Sequence, residues 1–189
     1  MKQESIMDQL IWQYFLALES DLESISRYIE INFDNYEVYS AEISKVLICS
    51  AMEFESLAKK IIKHSCSDKK SGNIGEIKGS MLSLFPYIGK CQVILDRPKI
   101  CLNPFYGWEN NNLEWWNAYG DIKHDRIKNY FQANLKNCIN ALAALGVINV
   151  YYYKIIYGFE HLTGTKMMSI TGMGELLCVK PSIPIPDSV

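Results

Sequence analysis

Apolar side chains recur at helical spacing from the start of the chain. Ile6, Leu10, Tyr14, Leu18, Leu22 and Ile25 fall three or four residues apart, which predicts a helix from Ser5 to about Glu30 with Gln9, Gln13, Glu19 and Glu23 facing elsewhere. A polar break containing Asn32, Asp34 and Asn35 then offers capping groups. The next periodic segment, Tyr39 to His64, sets Ile43, Leu47, Ser50, Phe54, Ala58 and Ile61 on one face, with Glu55 and Lys59 as an ordinary exposed i,i+4 pair. Two long antiparallel helices are expected.

Ser65 to Gly79 mixes Ser, Lys, Asn and Gly without a period and is expected to be a surface loop, followed by a short helix over Ser80 to Ile88. Two short apolar runs between Cys91 and Phe105 flank Asp96-Arg97-Pro98, the pattern of a small hairpin or extended excursion. An aromatic helix is predicted from Glu109 to about Ile122. A last helix is predicted from Asn129 to Tyr157, apolar on nearly every side between Ala141 and Tyr153 and so suited to a core or a subunit interface. After Gly158 the pattern fades, and the prolines of PSIPIPDSV exclude a helix there. The expected fold class is all-α: an up-and-down bundle of four to five helices over residues 1–158, with an irregular tail over 159–189 packed on the bundle or flexible.

Composition narrows the partners more than the fold. The chain has 189 residues, 49% of them apolar and 21% charged, which suits one domain with one core. Nineteen basic against twenty-one acidic side chains leave a net charge of −2, so any grip on a polyanion must be local. The six cysteines are scattered, without a Cys-x-x-Cys or a close Cys and His set, which favours reduced thiols and gives no metal site and no cofactor to expect. The N-terminus reads as mature protein. The apolar stretch from Ala141 is interrupted by Asn149 and is shorter than the roughly 20 residues of a bilayer span. A cytoplasmic protein without membrane attachment is expected.

Of the three histidines, His64, His124 and His161, only His124 has charged company, in the run Lys123-His124-Asp125-Arg126 with Lys128 just beyond. Such cations can hold a phosphate, and an imidazole titrating near neutral pH can pass a proton during phosphodiester cleavage. The same residue types also suit the last turn of a helix, where they oppose the negative end of its dipole. Glu53, beside the apolar face of the second helix, is a candidate partner for Lys123 or Arg126, or a solvated rim carboxylate. Asn134, Asn137 and Asn140 recur at intervals of three, and Asn134 could touch a ligand or make a packing hydrogen bond. Trp108, Trp115 and Trp116 could stack on bases or fill the core.

The run WWNAYGDIKHDRIKNYFQANLKNCINALAAL resembles the C-terminal helical part of HEPN-domain proteins: an aromatic helix, a Lys-His-x-Arg group, then Ala-Asn-Leu opening a long Ala/Leu-rich helix. YSAEISKVLICSAMEFESLAKKI is similar to the second helix of such proteins, with Glu53 as its acidic position. The resemblance implies a bundle of four or five helices, homodimerisation, and metal-independent endoribonuclease activity at a cleft shared by two subunits, in toxin or phage-defence systems with a partner protein. It implies His124 as general acid or base, Lys123 and Arg126 as a variant phosphate-binding group and Glu53 orienting them; from the residues themselves, Lys128 in the charge cluster and Asn134 on the last helix are added as substrate contacts. The chain departs from the family signature, an Arg four to six residues before the His: Tyr119, Ala118 and Asn117 occupy those positions. The alternative is a non-catalytic HEPN-like module that dimerises or binds a ligand or partner.

Overall fold

The computed structural model describes residues 2–66, 72–157 and 177–180, with backbone only for 2–9, 157 and 177–180. Among these residues the chain is mostly helical. Its elements are α1 (Lys2–Ser26), α2 (Ala41–Ser65), α3 (Ile74–Leu84), strands β1 (Gln92–Leu95) and β2 (Ile100–Leu102), α4 (Glu114–His124), the four-residue α5 (Arg126–Asn129), α6 (Leu135–Tyr157) and strand β3 (Leu177–Lys180). Short polar side chains set several starts. Ser40 Oγ accepts the Ile43 N–H at 3.2 Å ahead of α2, and Asn73 Oδ1 accepts the Glu76 N–H at 3.0 Å ahead of α3. Glu76 reaches back to accept the Gly72 N–H at 2.9 Å, a reciprocal cap.

The largest interface joins α2 to α6, and both α1 and α4 pack against that pair. The face predicted for α2 is the buried one: Ile43, Leu47, Ser50, Phe54, Ala58 and Ile61 are all fully covered. Phe54 is the centre of an aromatic cluster with Phe105, Trp108, Trp115 and Trp116, the last at 4.9 Å between ring centroids. The three tryptophans are therefore core, and the Trp115 indole N–H donates to the Pro104 carbonyl at 2.8 Å. Gly107, at φ 71°, makes the tight turn that lets Phe105 and Trp108 reach the same cluster. Residues Leu135–Ile156 of α6 are long and apolar enough to cross a bilayer, yet 72% of that window is buried inside the fold, as in a core helix.

The structure corrects several sequence expectations. α1 buries Leu18, Leu22 and Ile25 as expected but differs before them: Ile11, Trp12 and Phe15 are buried, while Leu10 and Tyr14 are exposed. Trp12 and the wholly apolar Phe15 offer more apolar area to hide than Leu10 and the hydroxyl-bearing Tyr14. Glu19, on that inward face, is buried and engaged by a neighbour. α3 starts at Ile74, inside the expected loop, because the Asn73 cap and the burial of Ile77 and Met81 outweigh two glycines. The rest of that loop lies partly outside the described residues. α4 begins at Glu114, after a run of turns, and α6 begins at Leu135 rather than Asn129.

The excursion between Cys91 and Phe105 is an antiparallel hairpin that pairs Val93 with Leu102 and Leu95 with Ile100. Its other edge takes β3, Gln92 opposite Lys180 and Leu95 opposite Leu177, giving the order β2-β1-β3. A strand thus stands at Leu177–Lys180, where irregular chain was expected.

Cys49, Cys66, Cys91, Cys101 and Cys138 are free thiols. Burial pushes the Cys138 thiol up to about 12, and burial pushes Cys91 up to about 11 against the opposing effect of its 3.5 Å contact with the Tyr151 hydroxyl. Exposed Cys101 is expected to react with a disulfide reagent at pH 8, whereas Cys91 and Cys138 react only after denaturant unfolds the chain. Keeping those two thiols neutral stabilises the fold fully below the unfolded thiol value of about 8.5, and that contribution is lost as pH rises towards about 11 to 12. Urea midpoints measured from pH 8 upward should therefore fall; a rise would contradict the burial of both.

Candidate functional site

α4 ends in Lys123 and His124, so the basic group sits in a last helical turn, where the dipole favours it. The chain then turns at Asp125, whose N–H donates to the Asp121 carbonyl at 2.9 Å and whose Oδ1 accepts the Lys128 N–H at 3.1 Å, opening α5. His124 is exposed, and among the described residues its imidazole has no hydrogen-bond or ion-pair partner. Its two cationic neighbours rest on rings: Lys123 Nζ is 5.6 Å from the Tyr119 centroid, and the Arg126 guanidinium is 5.3 Å from that of Tyr130. Lys128 is exposed as well.

The acidic residues of this junction serve the backbone and a neighbouring amide. Gln132 Nε2 donates to Asp121 Oδ2 at 3.1 Å, and Asn129 Nδ2 donates to the main-chain carbonyls of Asp121 and Asp125 at 3.0 and 3.1 Å. Lys123, Arg126 and Lys128 against Asp121 and Asp125 leave a small positive excess. Beside it stand two large uncovered apolar side chains, Ile127 at 92% and Phe131 at 58% exposure. The junction can thus exchange protons through His124 and attract a phosphate, but within one chain it is a surface.

Two expected members of the site lie elsewhere in function. Glu53 is half-buried and acts on α1: its charge, after the Cys49 hydrogen bond, burial and the Cys49 charge, helps push the Tyr14 hydroxyl up to about 12. The α2 carboxylate that meets α4 is Glu55, which takes the Tyr119 hydroxyl at 3.4 Å on Oε2 and Lys59 at 2.6 Å on Oε1. Residues two apart on a helix point about 200° apart, so Glu53 and Glu55 cannot both face α4. Asn134 is buried and spends its amide on structure, since Oδ1 caps α6 through the Asn137 N–H at 3.0 Å and Nδ2 donates to Glu37 at 2.9 Å.

A second place with chemical potential was not singled out as a site from the sequence. A cleft of ≈ 540 Å³ opens where the first turns of α4 and α6 meet the turn after β2, and its lining includes Tyr106, Glu114, Trp115, Lys136, Asn137 and Asn140. Lys136 Nζ donates to Glu114 Oε2 at 2.6 Å on its wall. Glu114 and His124 are opposite ends of α4, about 15 Å apart along the axis at 1.5 Å per residue. The recurring asparagines of α6 were the available signal for this cleft.

Among the described residues no group of three His, Cys, Asp or Glu side chains is arranged to hold a metal ion. Comparisons with protein-family models, with curated proteins and with solved structures give no match to the chain.

Removing the Asn134 amide should act on stability. Asn134→Ala is expected to lower the unfolding free energy by about 1 to 2 kcal/mol, the range for a lost helix cap, as read by urea denaturation. A loss of RNA or ligand binding at unchanged stability would return Asn134 to a functional role.

Proposed function

We propose that the chain is a HEPN-like cytoplasmic protein, an up-and-down bundle of four to five helices, that pairs with a second copy across the α4–α5 junction and cleaves RNA there without a metal. The observation that supports this most is the unpartnered, exposed imidazole of His124, set between Lys123 and Arg126 and bordered by the uncovered Ile127 and Phe131. A second copy docked on those apolar side chains would supply the wall that one chain lacks and bring a second imidazole to the same phosphate.

The chemistry then needs few groups. One His124 takes the proton of a ribose 2′-hydroxyl as its oxygen attacks the adjacent phosphorus, and the second, as imidazolium, gives a proton to the departing 5′-oxygen. The products are a 2′,3′-cyclic phosphate and a 5′-hydroxyl end. Arg126 and Lys123 would leave their tyrosine rings for the charge that builds on the phosphoryl oxygens, with Lys128 as a further phosphate contact. Glu53 has no part in this step, because it faces α1. Toxin or phage-defence systems, in which a partner protein restrains the activity, are the setting in which such a nuclease fits.

A second reading, a non-catalytic module that dimerises or binds a partner, is favoured by the Asn117, Ala118 and Tyr119 that stand where the family's Arg is expected and by the seating of both cations on rings.

Sedimentation and RNA cleavage in chelator separate the two. A wild-type dimer that cleaves RNA, with cleavage reduced about 10²- to 10⁴-fold in His124→Ala, supports the nuclease. A dimer that leaves RNA intact supports the module. Ile127→Asp is expected to dissociate the dimer while leaving the far-ultraviolet spectrum unchanged, and a wild-type chain that stays monomeric at high concentration overturns the shared site.

A further inference from the structure

The cleft between α4 and α6 is independent of the His124 junction, and its amides carry an unused hydrogen-bonding pattern. Asn137 is 4% exposed, and its Nδ2 donates to the Gln132 carbonyl at 2.9 Å; Asn140 Nδ2 donates to the Lys136 carbonyl at 2.9 Å. Main-chain carbonyls only accept, so the nitrogen of each amide must face its carbonyl and the oxygen is turned the other way. Neither side-chain oxygen has a hydrogen-bond partner among the described residues, and both residues line the cleft. Both oxygens are open to solvent in the cleft and free to accept from a ligand donor.

The i,i+3 placement of the two residues suits a donor with two N–H bonds. Side chains three apart on a helix leave their Cβ atoms about 5 to 6 Å apart on one face. The two N–H bonds of a planar amino group, about 120° apart, reach acceptors about 5 Å from one another at ordinary N···O distances. Glu114 and Lys136 pair at 2.6 Å on the wall and offset one another's charge, so the cleft lining has no net charge to favour an ionic ligand. Tyr106, 82% exposed on the wall, offers a free ring face for stacking.

We propose that this cleft binds an uncharged planar heterocycle bearing an amino group, the chemistry shared by cytosine and adenine, with Asn137 and Asn140 accepting from the amino group and Tyr106 stacking on the ring. A free nucleoside and a base within a single strand both present that chemistry.

Calorimetric titration of the full chain with cytidine, adenosine and uridine tests the assignment. Cytidine and adenosine are expected to bind about tenfold or more tighter than uridine, which carries a carbonyl where cytidine has its amino group. Tyr106→Ala, at an exposed position, is expected to weaken cytidine about tenfold by loss of stacking, and Asn140→Leu to erase the preference over uridine. Tetracytidylate binding tighter than cytidine and weakening with salt would assign a strand as the source, whereas equal or weaker binding would assign a free nucleoside. His124→Ala should leave cytidine affinity unchanged, so an inactive nuclease would not touch this assignment. No saturable heat with cytidine or adenosine in the millimolar range, equal affinity for uridine, or unchanged cytidine affinity in Tyr106→Ala would overturn it.

Discussion

The contact between α2 and α6 is the constraint on which the other elements depend, because α6 has no polar side to leave in water over most of its length. Leu135, Cys138, Ile139, Ala141, Leu142, Ala143, Ala144, Leu145, Val147 and Ile148 are all fully covered, which requires neighbours in every direction around the axis. α2 supplies the broadest of them, and α1 and α4 take other sides, with β3 also against α6. Burying each large apolar side chain is worth about 1.5 to 3 kcal/mol, so a helix with this sequence recruits its surroundings. The alanines keep its surface narrow between the bulkier side chains and let neighbouring backbones approach closely.

The start of α6 is fixed by a different kind of contact. Its Leu135 and Lys136 N–H groups, which a helix cannot satisfy internally, donate to the carbonyls of Val38 at 2.8 Å and Tyr36 at 3.1 Å, and Tyr39 and Asn134 form a bridge. The connection between α1 and α2 thereby holds the first turn of α6 in place. Two consequences follow for the surface. Asn137 and Asn140 are presented towards the turn after β2, and Tyr39 meets Tyr130 edge-on at 5.5 Å, which steadies the segment that follows α5. The cleft and the basic junction thus share one anchor although they lie at opposite ends of α4.

The long amphipathic segments were legible in the sequence because their burial follows a simple period. The whole predicted face of α2 is buried, and so are Trp108, Trp115 and Trp116, which cluster about Phe54. α1 shows the limit of that reasoning: positions 10, 14 and 18 and positions 11, 15 and 18 both fit a helical spacing, and the buried set is the one whose ring, Phe15, lacks a hydroxyl and has Trp12 beside it. The start of α3 was hidden because glycines lower local helix propensity while capping and burial act through atoms that the spacing does not weigh. The junction was legible as a cluster of charges, but its environment was not. Whether Glu53 or Glu55 faces α4 turns on the rotation of α2, and one residue of rotation moves every side chain by about 100°. β3 lies far along the chain from its pairing partners, beyond the reach of any local pattern.

That last pairing bears on the order in which the fold is assembled. The helices and the β1–β2 hairpin join residues near one another in the chain and can form early, whereas seating Leu177–Lys180 against Gln92–Leu95 closes a loop of roughly 80 to 90 residues, whose entropic cost is met only once its ends are already held close. α6 runs through the middle of that loop, so its docking on α2 shortens the remaining gap. The α2–α6 contact spans a comparable length of chain, so the third strand is a clasp that relies on that docking to bring its ends together.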